Sequence, residues 1–121
     1  MQFLAHVFDY VLKEKKKKIL IVGATSGDTG SAALEAFKNN TNVDLFILFP
    51  NNKISSIQQK QMTTIFKKGC QSVAIETDFD GCQSIVKSLF SDLNFKDEVK
   101  LSAINSINWV RLIPQVVYYF Y

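Results

Sequence analysis

Two stretches of the 121-residue chain hold side chains whose type and spacing suit the binding of small anions. In the first, the aliphatic run Ile19-Leu20-Ile21-Val22 gives way to Gly23, Ala24, Thr25, Ser26, Gly27, Asp28, Thr29 and Gly30, and then reopens as Ser31-Ala32-Ala33. Four aliphatics without polar alternation predict a strand buried on both faces. Gly23, Gly27 and Gly30 allow turns and close approaches that a Cβ would forbid. Asp28 is placed to cap a helix beginning near Thr29, and the free N–H groups of a first helical turn attract a carboxylate or phosphate. In the second stretch, Asn105, Ser106, Asn108 and Arg111 surround Ile107, Trp109 and Val110. With a helix starting near Asn108, Asn108 and Arg111 share a face and Ser106 falls in the capping region. The planar guanidinium suits two phosphate oxygens, which amide and hydroxyl groups then complete.

Each stretch also has a plainer reading, as a strand-to-helix turn and as a capped helix with a surface arginine. The glycine spacing is neither that of a dinucleotide fingerprint nor that of a P-loop. Other candidates fall away faster. Asp78 and Asp80 open a helix, where capping is the commoner role for an acid. His6, the single histidine, flanks an apolar stripe with no acid in a motif. Cys70 and Cys82 are far from a C-x-x-C pair, so no metal is expected; they read as reduced, mostly buried thiols of a cytoplasmic protein. Lys13 and Lys15 to Lys18 exceed the whole net charge of +3. They follow an amphipathic helix and suit its negative end, and without interleaved aromatics they are a weak case for nucleic acid.

These stretches need a scaffold, and the composition provides one: 47% hydrophobic residues, with ten Phe and four Tyr, predict a folded core. No apolar run reaches the length of about 18 residues that spans a bilayer, and the lysines follow the first apolar segment, the wrong order for a secretory leader. Phe3, Leu4, Val7, Phe8, Val11 and Leu12 form one helical stripe. Ala32, Ala33, Ala36 and Phe37 line a second helix, ending in Asn39-Asn40-Thr41-Asn42. Leu45 to Phe49 is a second buried strand ended by Pro50. A helix capped by Ser55 or Ser56 carries Ile57, Gln61, Met62, Ile65 and Phe66 and closes at Gly69. Val73 to Ile75 is a third strand, and Cys82, Ile85, Val86, Leu89 and Phe90 form the stripe of a further helix. Leu101 to Ile104 is short and apolar. Pro114 should kink a terminal helix, and Val116 to Tyr121 is apolar enough to look cut from a larger protein. The expectation is a single α/β unit over residues 1–121: a three-layer, open, mainly parallel sheet with three strands, flanked by helices.

Thr25-Ser26-Gly27-Asp28-Thr29-Gly30-Ser31-Ala32 resembles the T-S-G-D-T-G-(S/A)-A signature of the threonine synthases, pyridoxal-phosphate enzymes of the tryptophan-synthase-β-like class. Further segments match in order. Asp44 to Pro50 with Ile54-Ser55 and Ile57-Gln58 is similar to V-F-I-L-(F/Y)-P followed by (I/V)-S-P-(I/L)-Q, with Ser56 where that family often has Pro. Gln61-Met62-Thr63-Thr64 matches Q-M-T-T, Asp78 to Gln83 resembles D-F-D-x-C-Q, and Asn105 to Trp109 with Arg111 matches N-S-I-N-W-x-R. Met1 to Leu4 is similar to the segment that follows the family's cofactor lysine.

The resemblance implies the tryptophan-synthase-β-like pyridoxal-phosphate fold and conversion of O-phosphohomoserine and water to threonine and phosphate, with the cofactor as electron sink. It implies that Ser26, Gly27, Asp28 and Thr29 surround the substrate carboxylate, that Asn105, Ser106 and Arg111 hold its phosphate, and that Asn108 lies near the cofactor. The family's Schiff-base lysine stands in an (A/S)-F-K-D motif upstream of the position of Met1, and its cofactor-phosphate loop, of S-G-N-F-G type, beyond Tyr121. Neither motif occurs here, so the expectation is a fragment, inactive alone, with no catalytic residue of its own. A related phospho-lyase would carry the same motifs, and a non-catalytic anion- or partner-binding module from a truncated gene is the reading from another class. No nucleic acid, membrane or particular oligomeric state is implied.

Overall fold

The computed structural model describes residues 1–65, 67–104 and 112–120. Four strands, β1 (Ile19–Ala24), β2 (Val43–Pro50), β3 (Cys70–Ile75) and β4 (Leu101–Ala103), form one sheet in the order β3-β2-β1-β4. All three pairings are parallel. The helices are α1 (Gln2–Glu14), α2 (Asp28–Phe37), α3 (Ser56–Thr63), α4 (Phe79–Ser91) and α5 (Leu93–Glu98). Among the described residues no helix is long and apolar enough to cross a membrane.

Successive residues of a strand point to opposite faces, and the central strands bury both. Ile21, Leu45, Ile47 and Phe49 pack with Leu4, Ala33, Leu34, Phe37 and Met62 under α1, α2 and α3. Val22 and Leu48, with Leu20 and Phe46, pack with Cys82, Val86, Leu89, Phe90 and Phe95 under α4 and α5. The three layers expected from the unalternated aliphatic runs are therefore present.

Several details differ from the expectation. Leu101–Ala103 is a fourth strand, with Leu101 beside Leu20 and Ala103 beside Val22; three residues are too few to show a period. Asp28 is the first residue of α2 and Gly27 its cap position, with no side-chain cap bond, so Asp28 does not cap. Leu34 is buried and Ala32 exposed, a small rotation of the face. The helix begun at Ser55 stops at Thr63, and Gly69 instead takes a left-handed turn, φ +82°, before β3. Phe3, Val11, Ile57 and Ile85 are exposed despite their apolar spacing; Phe66 lies outside the described residues. Pro114 stands in the first turn of a 3-10 helix, Ile113–Tyr119, and Val110, whose helical bond it is expected to remove, lies outside the described residues. Val116, Val117, Tyr118, Tyr119 and Phe120 of that segment are exposed.

The other expected caps are present. Asp78 accepts from the Gly81 N–H at 2.8 Å. Ser55 makes a full capping box with Gln58. Cys70 and Cys82 carry free, buried thiols. Burial pushes both up from the ordinary thiol range; Lys67 partly opposes this at Cys70, and Asp78 adds to it at Cys82.

Candidate functional site

The strand order reverses at β1: β2 and β3 follow on one side of it and β4 lies on the other. The α2 crossover covers one face and α4 with α5 the other. In open parallel sheets the crevice outside the carboxyl ends of the strands, at such a reversal, is where ligands sit. A cleft of about 400 Å³ occupies this position, lined by Ala24, Thr25, Ser26, Gly27, Asp28, Thr29, Phe79 and Ile104.

The loop between β1 and α2 is held from within. Thr25, 6% exposed, donates its backbone N–H to Leu48 and so extends the β1–β2 ladder by one residue. Its hydroxyl donates to the Gly27 carbonyl and accepts from the Gly27 N–H, both at 3.1 Å. The Gly30 N–H turns back to the Gly27 carbonyl at 3.3 Å. The N–H groups of Asp28 and Thr29 have no partner among the described residues and belong to residues that line the cleft. They are the donors that a helix start leaves over, at the positive end of the α2 dipole.

Close approach explains two of the glycines, and neither needs an unusual backbone angle. A Cβ on Gly30 would strike the Thr25 methyl and lie 2.9 Å from Ile47 Cγ2. A Cβ on Gly23 would lie 2.7 Å from Ile104 Cγ2, so the bare backbone of β1 lets the end of β4 lie against it. In this way Ile104, from which the chain continues into 105–111, comes to line the same cleft as Asp28.

Ser26, Gly27, Asp28 and Thr29 are therefore brought together at one cleft. Asn105, Ser106, Asn108 and Arg111 lie outside the described residues. Three further contributors are not singled out as site residues by the sequence. Thr25 stands in the same motif. Gln58, whose Nε2 donates to Asp28 Oδ1 at 3.3 Å, is signalled by the Ser55-x-x-Gln58 capping-box spacing. Phe79 has no signal, since its place depends on how the α4 start meets the sheet. Among the described residues no lysine lines the cleft. Its small hydroxyls and free N–H groups suit a carboxylate.

No family model matches the chain. Over 121 residues, all of this chain and 26% of the relative, it is 47% identical to threonine synthase from Pseudomonas aeruginosa. The crystal structure of PLP-bound threonine synthase from Brucella melitensis superimposes with a TM-score of 0.93 at 54% identity, over 98% of this chain and 26% of that one. Threonine synthase from yeast superimposes at 0.90 with 44% identity, over 99% of this chain and 25% of that one. The chain thus spans about a quarter of the length of the relatives it matches.

Proposed function

The chain belongs to the threonine synthase family, and we propose that it forms the part of such an enzyme that grips O-phosphohomoserine at both ends while water replaces the phosphate to give threonine. At one end, the Asp28 and Thr29 N–H groups and the Ser26 hydroxyl hold the substrate carboxylate in the positive field of α2. At the other, Asn105, Ser106 and Arg111 hold the phosphate, and Asn108 lies beside the cofactor. Pyridoxal phosphate, when bound, supplies the electron sink for this chemistry. Its covalent lysine and its phosphate cradle come from parts of the enzyme other than this chain, so residues 1–121 alone do not turn over substrate.

The observation that carries this reading is the meeting of the β1–α2 loop and the end of β4 at one cleft. Ile104, from which the chain continues to Asn105, lines the same crevice as the Asp28 loop, which supports a ligand held from both segments. The cited relatives being threonine synthases favours this reaction over the phospho-lyase. A chimaera in which residues 1–121 replace the aligned quarter of the Pseudomonas aeruginosa enzyme tests it: threonine and phosphate should form from O-phosphohomoserine. In that chimaera Arg111→Ala should weaken transition-state binding by roughly 2–5 kcal/mol, the loss expected for a desolvated charge pair. An active chimaera indifferent to Arg111→Ala would remove Arg111 from the site. For the isolated chain, a stable absorbance band of covalently bound cofactor after addition of pyridoxal phosphate would overturn the claim of inactivity.

A further inference from the structure

We propose that Gln58 is a positioning residue for the substrate loop: it draws the Asp28 carboxylate toward α3 and so leaves the first-turn N–H groups of α2 to the substrate's own carboxylate. The assignment rests on that loop being the carboxylate-binding loop. Asp28 is an acid at the first position of α2. An acid there is stabilised by the helix dipole and competes with any incoming anion for the same field. Among the described residues no lysine or arginine pairs with it. What holds it is the neutral amide of Gln58, Nε2 to Oδ1 at 3.3 Å.

The orientation of that amide is set from its other end. Gln58 Oε1 accepts from the Ser55 hydroxyl at 3.1 Å and from the Ser55 N–H at 3.4 Å, and the Gln58 N–H returns a bond to Ser55 Oγ at 3.2 Å. With the oxygen committed to the α3 cap, the NH₂ group is left facing Asp28. It also sits 3.0 Å from where a Cβ on Gly27 would be, so any side chain at position 27 would push it aside. A capping box accepts Glu as well as Gln. The cap by itself therefore does not call for an amide at position 58, whereas the contact with Asp28 does.

Gln58→Glu separates the two roles, because it keeps the cap and sets a second carboxylate against Asp28. In the chimaera, Gln58→Glu should raise KM for O-phosphohomoserine about tenfold and leave kcat within about threefold, the split expected when ground-state binding is lost. Adding Asp28→Asn remakes the contact in reverse, with an amide at position 28 donating to a carboxylate at position 58. In that background Gln58→Glu should cost less than about twofold, a coupling read directly from the double-mutant cycle. A change of KM equal in both backgrounds, or absent from both, overturns the proposal.

Hydrogen exchange at the Gly27 and Gly30 amides, the N–H groups of this loop that have partners, gives a readout free of substrate. Gln58→Glu should speed it about fivefold or more through local opening, and Asp28→Asn should reverse this. If the unsubstituted chimaera does not process O-phosphohomoserine while the exchange pattern holds, the positioning role stands and the substrate assignment falls. An active chimaera in which neither KM nor exchange responds to Gln58→Glu sinks the positioning role alone.

Discussion

The two faces of the sheet are packed to different depths. On the face covered by α1, α2 and α3, the side chains of Ala33, Leu34, Phe37 and Met62 are all but sealed, at 1% exposure or less. On the opposite face, Cys82 alone is fully buried among the described residues of α4 and α5, while Val86, Leu89, Phe90 and Phe95 keep part of their surface open. The cleft has one wall from each side. Its loop wall continues the dense face, because Gly30 is wedged among Thr25, Ile47 and Met62. Its other wall includes Phe79, the first residue of α4. The dense face fixes the loop wall, where Thr25 holds Gly27 by two hydrogen bonds, and fixed donors are what a preorganised anion site needs. The thinner α4 face belongs to the low-stability end, from which parts that adjust on binding are drawn.

The largest test of this asymmetry is deletion of a core side chain from each face. Phe37 meets Phe8 edge to face, ring centroids 6.0 Å apart and planes at 63°, under nearly complete burial. Phe37→Ala should cost about 3–5 kcal/mol in urea denaturation of the chain, the range for emptying an aromatic core site. Leu89→Ala, on the open face, should fall near the low end of the leucine range, about 2 kcal/mol. Equal losses would mean that the two faces are equally constrained and would remove the reason for calling one wall rigid.

A smaller effect comes from overfilling the dense face. Gly30→Ala places a methyl against the Thr25 side chain, with Ile47 Cγ2 at 2.9 Å and Met62 Sδ at 3.1 Å. Overpacking of this kind costs about 1–3 kcal/mol, and since Thr25 holds Gly27 by two hydrogen bonds, faster amide exchange at Gly27 should accompany it. Exchange unchanged at Gly27 would show that Thr25 gives way without carrying the loop. The helix caps set the scale at which the faces should agree. Ser55→Ala and Asp78→Ala each remove a side-chain acceptor from a helix start, and each should cost about 1 kcal/mol. A marked inequality between them would trace the asymmetry to capping instead of packing.

How much of this can be read from the residues follows from how local each cause is. The β1 and β2 runs announce themselves because burial on both faces leaves no polar residue between Ile19 and Val22 or between Leu45 and Phe49. The β1–α2 loop is legible because small residues and glycines must be contiguous to make it. A capping role for Asp28 is a misreading because the choice between cap position and first helical residue turns on the Thr25 hydroxyl, which takes the Gly27 N–H and brings the helix start forward by one residue. β4 escapes notice as a strand because its pairing with β1 is a tertiary fact. Ile85 and Ile57 look like core by spacing, yet among the described residues both stay exposed. The role of Phe79 is invisible in the sequence because it depends on where α4 lands.

The smallest expected effect distinguishes the faces by charge. Cys70 lies under the dense face, its thiol 3.5 Å from the Leu34 carbonyl, and Cys82 lies under the open one. Burial raises both above the ordinary thiol range, so the folded chain keeps its protons at a pH where the unfolded chain gives them up. The stabilisation is fully present below the ordinary thiol pKa and is lost as pH rises through the raised, folded value. At Cys70 the Lys67 ammonium opposes the rise, whereas at Cys82 the Asp78 carboxylate adds to it. Lysines and tyrosines titrate in the same alkaline window, so the useful quantity is the difference in slope of urea stability against pH between each cysteine variant and the parent. Cys70→Ala and Cys82→Ala should each flatten that slope, since burial raises both thiols. A slope left unchanged by either variant would mean that burial on that side of the sheet does not hold its thiol protonated.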